Sequence, residues 1–223
     1  MSADPLLLPD GETSFHALRT LKKIYVDKSD LVADIAFNLG FTKRPIFLSR
    51  PRRFGKSLLV STFASVFKSQ AEDFQGLKLE AIYAALPKPQ QNAIQSCKTI
   101  TLDFSTMDTE SVAAFRRSFR SKLTFALSKA DPAFTNDGSA TSAGDLLDIY
   151  LSGCSDHSIV LLIDEYDAPL TAFMHSGNPR SFKQVLSALN GFYRTVKARQ
   201  SKFLFSFVTG VVKFSHAGLF SGQ

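Results

Sequence analysis

The sequence predicts an α/β domain whose central sheet is mostly parallel and covered by helices on both faces. Three observations predict it. Apolar runs of strand length alternate with segments of helical periodicity along the chain. Residues 46–67, IFLSRPRRFGKSLLVSTFASVF, read as a short buried strand, a loop and a helix. Residues 158–164, SIVLLID, form the continuous apolar run expected of a strand buried on both faces, and the run ends in Asp164 and Glu165.

Taken in order, residues 1–11 read as an irregular leader and 14–21 as a short helix. Asp27 or Ser29 then caps a helix running through Leu31, Ile35 and Leu39 to a stop at Gly40. Lys43-Arg44-Pro45 leads into the first strand, and the helix after it places Leu59, Phe63, Val66 and Phe67 on one face. Residues 70–95 are mixed, with Pro87 and Pro89 marking a loop. Residues 99–104, TITLDF, are apolar and β-branched enough for a second central strand with Asp103 at its end. Val112, Phe115, Phe119, Leu123 and Ala126 recur at helical spacing, and Asp131-Pro132 ends that helix. Arg116, Arg117, Arg120 and Lys122 fall mostly on its other side, where a solvated face is expected ahead of a nucleic-acid patch. A polar loop over 137–144 and a short helix over 145–151 precede the apolar 158–164 strand. Asn178-Pro179 starts an amphipathic helix marked by Phe182, Val185, Leu189, Phe192 and Val196, and the last strand is 203–209, followed by Gly210.

A chain of 223 residues, 44% hydrophobic and 21% charged, buries a sizeable core and suits one α/β domain. Its 21 Phe and absent Trp put aromatic packing on Phe. The net charge of +6 suits an anionic ligand without establishing one. Cys97 and Cys154 are too few for a disulfide framework and lack metal-ligand spacing. The start shows no basic segment followed by a long apolar run, and no stretch approaches a membrane span, so a cytoplasmic location is expected.

Gly55-Lys56-Ser57 sits between a strand and a helix, as a phosphate-binding loop requires. The helix N-terminus offers free N–H groups, Gly55 lets the backbone approach, Lys56 reaches β/γ-phosphates and the Ser57 hydroxyl ligates Mg²⁺. Arg52, Arg53, Phe54, Gly55, Lys56, Ser57 and Leu58 form the expected cradle. Arg50 stands where G-x-x-x-x-G-K-[ST] asks for Gly, and a bare GK[ST] triplet arises by chance in roughly one chain in ten of this length. The acids at 164 and 165 add the second half. Ligands gather outside the carboxyl ends of parallel strands, so Asp164 is expected to hold Mg²⁺, through a water, and Glu165 to polarise an attacking water as general base. Asp167 is expected in a turn or cap rather than as a reserve acid. Thr209 is a candidate polar sensor near the γ-phosphate or the attacking water, Lys213 a weaker candidate for phosphate contact, and Arg50, Arg52 and Arg53 ring the loop.

On these residues the chain resembles the predicted AAA-ATPase-like family of P-loop ATPases. The resemblance covers nearly the whole chain. It rests on Tyr25-Val26-Asp27-Lys28-Ser29, Ser49-Arg50-Pro51-Arg52-Arg53-Phe54-Gly55-Lys56-Ser57, Leu102-Asp103-Phe104-Ser105, Leu162-Ile163-Asp164-Glu165-Tyr166-Asp167, Thr209-Gly210-Val211 and Phe220-Ser221-Gly222. It implies a three-layer P-loop NTPase fold of ASCE-type order, with phosphate-loop and acid strands separated by another strand. It implies ATP and Mg²⁺ as ligands, with Lys56, Ser57, Asp164 and Glu165 in the roles above, and the Tyr25 to Ser29 segment near the adenine. The arginine-rich loop is this family's own form of the phosphate loop, so Arg50 ceases to count against binding. Residues 1–44 become an N-terminal leader and helical segment, and 45–223 a core that stops before the family's helical lid. The implied function is a Mg-dependent ATPase that uses hydrolysis as a conformational switch, in a possible homo-oligomer, with nucleic acid reached through an absent or separate restriction-nuclease-like domain and no membrane partner. The missing lid leaves turnover in question. Two alternatives accompany it: a small-molecule P-loop kinase, and a nucleotide-gated nucleic-acid-binding or scaffold module without turnover.

Overall fold

A computed structural model describes residues 8–9, 11–39, 45–68 and 70–212. The leader's residues 1–7, the Gly40 stop, Lys43-Arg44, Lys213 and the Phe220-Ser221-Gly222 segment lie outside them.

Four parallel strands, β1 (Ile46–Ser49), β2 (Lys98–Asp103), β3 (Ile159–Asp164) and β4 (Phe203–Gly210), form one sheet in the order β1-β4-β3-β2. Every residue of β3 and β4 is buried, as their unbroken apolar runs require of central strands. β2, expected as a central strand, lies at the sheet edge among the described residues, and its Thr101 and Asp103 are exposed accordingly. β1 is the other edge, so the first strand is half-buried rather than buried. The strand between β1 and β3 is β4, the last in sequence among the described residues.

Side chains alternate across the sheet and feed two cores. Val160 and Leu162 of β3 join Phe205 and Phe207 of β4 on one face, while Ile159, Leu161 and Ile163 join Val208 on the other. The first face is covered by α1 (Phe15–Thr20), α2 (Ser29–Ala33), α3 (Lys56–Phe67), α4 (Lys78–Ala84) and α5 (Lys88–Ser96). The second is covered by α6 (Val112–Ala130), α7 (Ala143–Ser152), α8 (Ala168–His175) and α9 (Pro179–Ala198). Phe carries both cores. Phe63 of α3 packs at 4.9 Å from Phe205 and 4.7 Å from Phe207, and on the other face Phe119 lies 5.2 Å from Phe104 and 5.1 Å from Phe192. Each such pair adds about 0.5–1.5 kcal/mol beyond its buried area.

Local chemistry explains most boundaries. Ser14, Ser111, Ser142 and Asn178 each accept a hydrogen bond from the first turn of the helix that follows. One expectation here is corrected. Pro87 and Pro89 open α5 rather than marking a loop, because proline in a first turn sacrifices only an N–H that has no helical partner. The helix expected through Leu31, Ile35 and Leu39 forms as α2 continued by a π-helical stretch over Asp34–Leu39; it buries Val32, Ala33, Ala36 and Phe37 and leaves Leu31 exposed. Of the two residues expected to cap it, Asp27 accepts from the Ser29 N–H at 2.9 Å, while the Ser29 hydroxyl accepts from the Leu79 N–H at 3.0 Å and ties α2 to α4. α8 had no sequence expectation at all.

Candidate functional site

The carboxyl ends of the strands meet at one edge of the sheet, and the loop over residues 50–55 leaves β1 there. The Arg50 N–H donates to the Gly210 carbonyl at 3.2 Å, extending the β1–β4 ladder by one bond before the loop turns away. Two left-handed residues, Arg53 (φ 66°) and Gly55 (φ 73°), then swing the chain into α3. At Gly55 that conformation carries no steric cost; at Arg53 it does. Arg52, Arg53 and Phe54 are exposed, Phe54 to 66%, while Lys56 is only 5% exposed. Its ammonium donates to the Pro51 carbonyl at 3.1 Å, folding the side chain back under its own loop. Ser57 and Leu58 in the first turn of α3 are half-buried.

At the tip of β3 the backbone is strained. Glu165 takes a left-handed φ of 49°, and its N–H donates to Asp164 Oδ1 at 3.0 Å. Thr209, fully buried at the end of β4, donates its hydroxyl to the same Oδ1, which leaves Oδ2 of Asp164 without a protein donor among the described residues. Glu165 is half-buried, and burial pushes its carboxyl above the ordinary glutamate range, helped by the charges of Asp164 and Asp103. Lys56 and Arg52 pull in the opposite direction, so the loop cations lie close enough to act on Glu165.

A cavity of about 570 Å³ runs along α3 from Ser57 to Lys68, over the open edge of β2, and takes in Asp103, Asp164 and Glu165. Ser57 and both acids therefore share one space. Arg52, Arg53, Phe54, Gly55, Lys56 and Leu58 do not line it. Asp103, in register with Asp164, is a third acid at this edge that the site reading left without a role. Its Oδ1 accepts from the Ser105 N–H at 2.8 Å and the Ser105 hydroxyl at 2.6 Å. The signal for it was present: an apolar strand ending in Asp, at the same edge as Asp164.

Asp167 is buried beneath the turn that follows β4. Its Oδ2 accepts from Val211 N–H at 3.0 Å and Val212 N–H at 2.6 Å, and the Tyr166 hydroxyl donates to the Val212 carbonyl at 2.7 Å. Asp167 also occupies the N-cap position of α8, without a capping bond from its side chain.

Ser57 and Asp164 both line this cavity, and a hydroxyl and a carboxylate are the oxygen donors that suit a hard cation such as Mg²⁺. No cluster of three or more His, Cys, Asp or Glu among the described residues is arranged to hold a metal. Among the described residues, no helix is long and apolar enough to cross a membrane.

The family described as "Predicted AAA-ATPase" (AAA-ATPase-like) matches residues 9–220. The chain is also 26% identical, over 216 residues, to the "Uncharacterized protein in vnfD 5'region" of Azotobacter chroococcum mcd 1. That alignment covers 96% of this chain and 39% of the relative, so the chain spans about two fifths of the length of the curated relative it matches. No solved structure matches the chain.

Proposed function

The chain belongs to the predicted AAA-ATPase family, and from that premise we propose that it binds ATP with Mg²⁺ and hydrolyses it as a conformational switch. The observation that carries the reading is the convergence of Ser57, Asp164 and Glu165 on one cavity at the carboxyl edge of the sheet. Its topological support is that β4 lies between the loop-bearing β1 and the acid-bearing β3, the relation an ASCE-type core requires.

In this proposal Lys56 leaves the Pro51 carbonyl and turns its ammonium to the β/γ-phosphates, exchanging a neutral acceptor for a charged one. The N–H groups opening α3 hold phosphate oxygens, and Arg52 and Arg53 add positive charge at the rim. Ser57 and Asp164 hold Mg²⁺, which when bound neutralises phosphate charge. Thr209 acts through Asp164 as a positioning residue, since its hydroxyl is spent on that carboxylate. Glu165 accepts the proton of the attacking water; its raised affinity for a proton suits a general base. A second substrate hydroxyl is not needed, which favours hydrolysis over phosphoryl transfer to a small molecule. Assembly into a homo-oligomer rests on the family likeness alone, and a cytoplasmic location on the sequence expectation stated above.

The test compares wild type, Lys56→Ala and Glu165→Gln for ATP binding and for phosphate release without an acceptor. Lys56→Ala should lose binding, and Glu165→Gln should bind ATP while losing turnover by about 10²-fold or more. Undiminished ATP binding by Lys56→Ala would remove the assignment. Phosphate release only when an acceptor is added would replace it with a kinase.

A further inference from the structure

Two helices on one face of the sheet carry cations without a single acid. α6 bears Arg116, Arg117, Arg120, Lys122 and Lys129; α9 bears Arg180, Lys183, Arg194 and Lys197; neither contains Asp or Glu. From Ala168 to Gln223 the sequence contains no Asp or Glu at all. α6 packs against α9, and Arg116, Arg180 and Lys183 line one cleft of about 420 Å³ together with Pro179, Gln184 and Ser187. All three cations are exposed, and none makes a side-chain hydrogen bond or ion pair among the described residues. The acids just before α6, Asp108 and Glu110, pair with none of them.

This is an unusual way to leave a solvated surface. Helix faces of mixed charge gain from acids three or four residues from each cation, and here there are none to supply them. Arg116, Arg180 and Lys183 also occupy the first two turns of their helices, where the macrodipole opposes a cation, most strongly at Arg180 in the first turn. An anion in the cleft relieves both repulsions. Arg117, Arg194 and Lys197 are also exposed and without side-chain partners among the described residues, which extends the positive field beyond what one phosphate uses.

We propose that the α6–α9 face binds the phosphodiester backbone of nucleic acid, with Arg116, Arg180 and Lys183 as its central contacts. A lipid surface fits less well. α9 exposes no large hydrophobic side chain, and the exposed Phe125 of α6 lies nine residues beyond Arg116. The cleft offers charge without an aromatic base-stacking platform, so recognition is of the backbone and independent of sequence. α6 begins nine residues after β2 ends, and α9 runs back to the amino end of β4, so both helices start toward the sheet edge that carries the acids. No residue of the cleft lines the cavity at Ser57, so the proposal stands apart from the ATPase reading.

The test is fluorescence anisotropy with two unrelated duplex DNAs of about 20 base pairs, titrated between about 50 and 200 mM salt. Wild type is compared with Arg116→Gln/Arg180→Gln/Lys183→Gln and with a charge-matched control on the opposite layer, Lys22→Gln/Lys28→Gln/Lys88→Gln. Both duplexes should bind alike. The cleft variant should weaken binding at least about tenfold and lower the slope of log K against log salt by about 2–3, near 0.9 per phosphate contact. The control and Lys56→Ala should bind as wild type does. Single Lys183→Glu gives a second reading if the triple variant melts early. Equal weakening by cleft and control variants, absence of duplex binding by wild type, or tighter cleft-dependent binding to phosphatidylserine vesicles than to DNA would each overturn the proposal.

Discussion

Replacing Gly210 by Ala tests how the two strands that frame the acids are joined. A Cβ at Gly210 would stand 2.5 Å from Tyr166 Cε1 and 2.6 Å from Asp167 Oδ1, distances that require one neighbour to move. Neither is a loose side-chain end. Tyr166 is buried with its hydroxyl on the Val212 carbonyl, and Asp167 is buried with Oδ2 on the Val211 and Val212 N–H groups. Making room therefore strains the packing, at about 1–3 kcal/mol, and breaks at least one hydrogen bond to a carboxylate, at about 1.5–3 kcal/mol. The expected loss is about 2.5–6 kcal/mol, read as a fall in the urea midpoint by far-UV circular dichroism. Gly191→Ala is the control. It lies within α9 with nothing within 4 Å of its added Cβ, so it should stabilise by about 0.5–1 kcal/mol through helix propensity. A Gly210→Ala variant within about 0.5 kcal/mol of wild type would refute the reasoning.

Three further outcomes are expected. Glu165 binds its proton more tightly folded than unfolded, so the stability linked to it is greatest below the ordinary glutamate range and is lost as pH rises through the folded value. Glu165→Gln should therefore outlast wild type in urea at neutral pH and match it in acid; a gap constant with pH would count against the raised value. Thr209→Val, which keeps the shape and removes the hydroxyl from Asp164, should cost about 1–3 kcal/mol, and unchanged thermal unfolding would contradict that buried bond. Burial pushes the Cys97 thiol up to about 11, so the folded protein should alkylate there far more slowly at neutral pH than the urea-unfolded chain. Equal rates in both states would show the thiol to be open.

Strand identity was legible wherever burial was complete. The runs at 158–164 and 203–209 became β3 and β4 within a residue at each end, because strands covered on both faces tolerate no polar interruption. Their order in space was not legible: nothing local in β2 distinguishes an edge from a centre, and TITLDF carries enough β-branched residues for either. Proline misled at 87 and 89 because its meaning depends on whether a helix follows. In the site, Ser57, Asp164 and Glu165 could be paired from their strand ends alone. The commitment of Thr209 to Asp164, the clamp made by Asp167 and the convergence of Arg116 with Arg180 and Lys183 needed three dimensions, since each joins residues more than forty positions apart.

Asp164 grips Thr209 inside the sheet, and three residues later Asp167 grips the two amides that follow it. The end of β4 is thus sewn to the end of β3 at two stitches on either side of Gly210. A change that moves the carboxylates of Asp164 or Asp167 is therefore expected to be felt at Thr209, Val211 and Val212 together, since the same two strand ends carry all of these bonds.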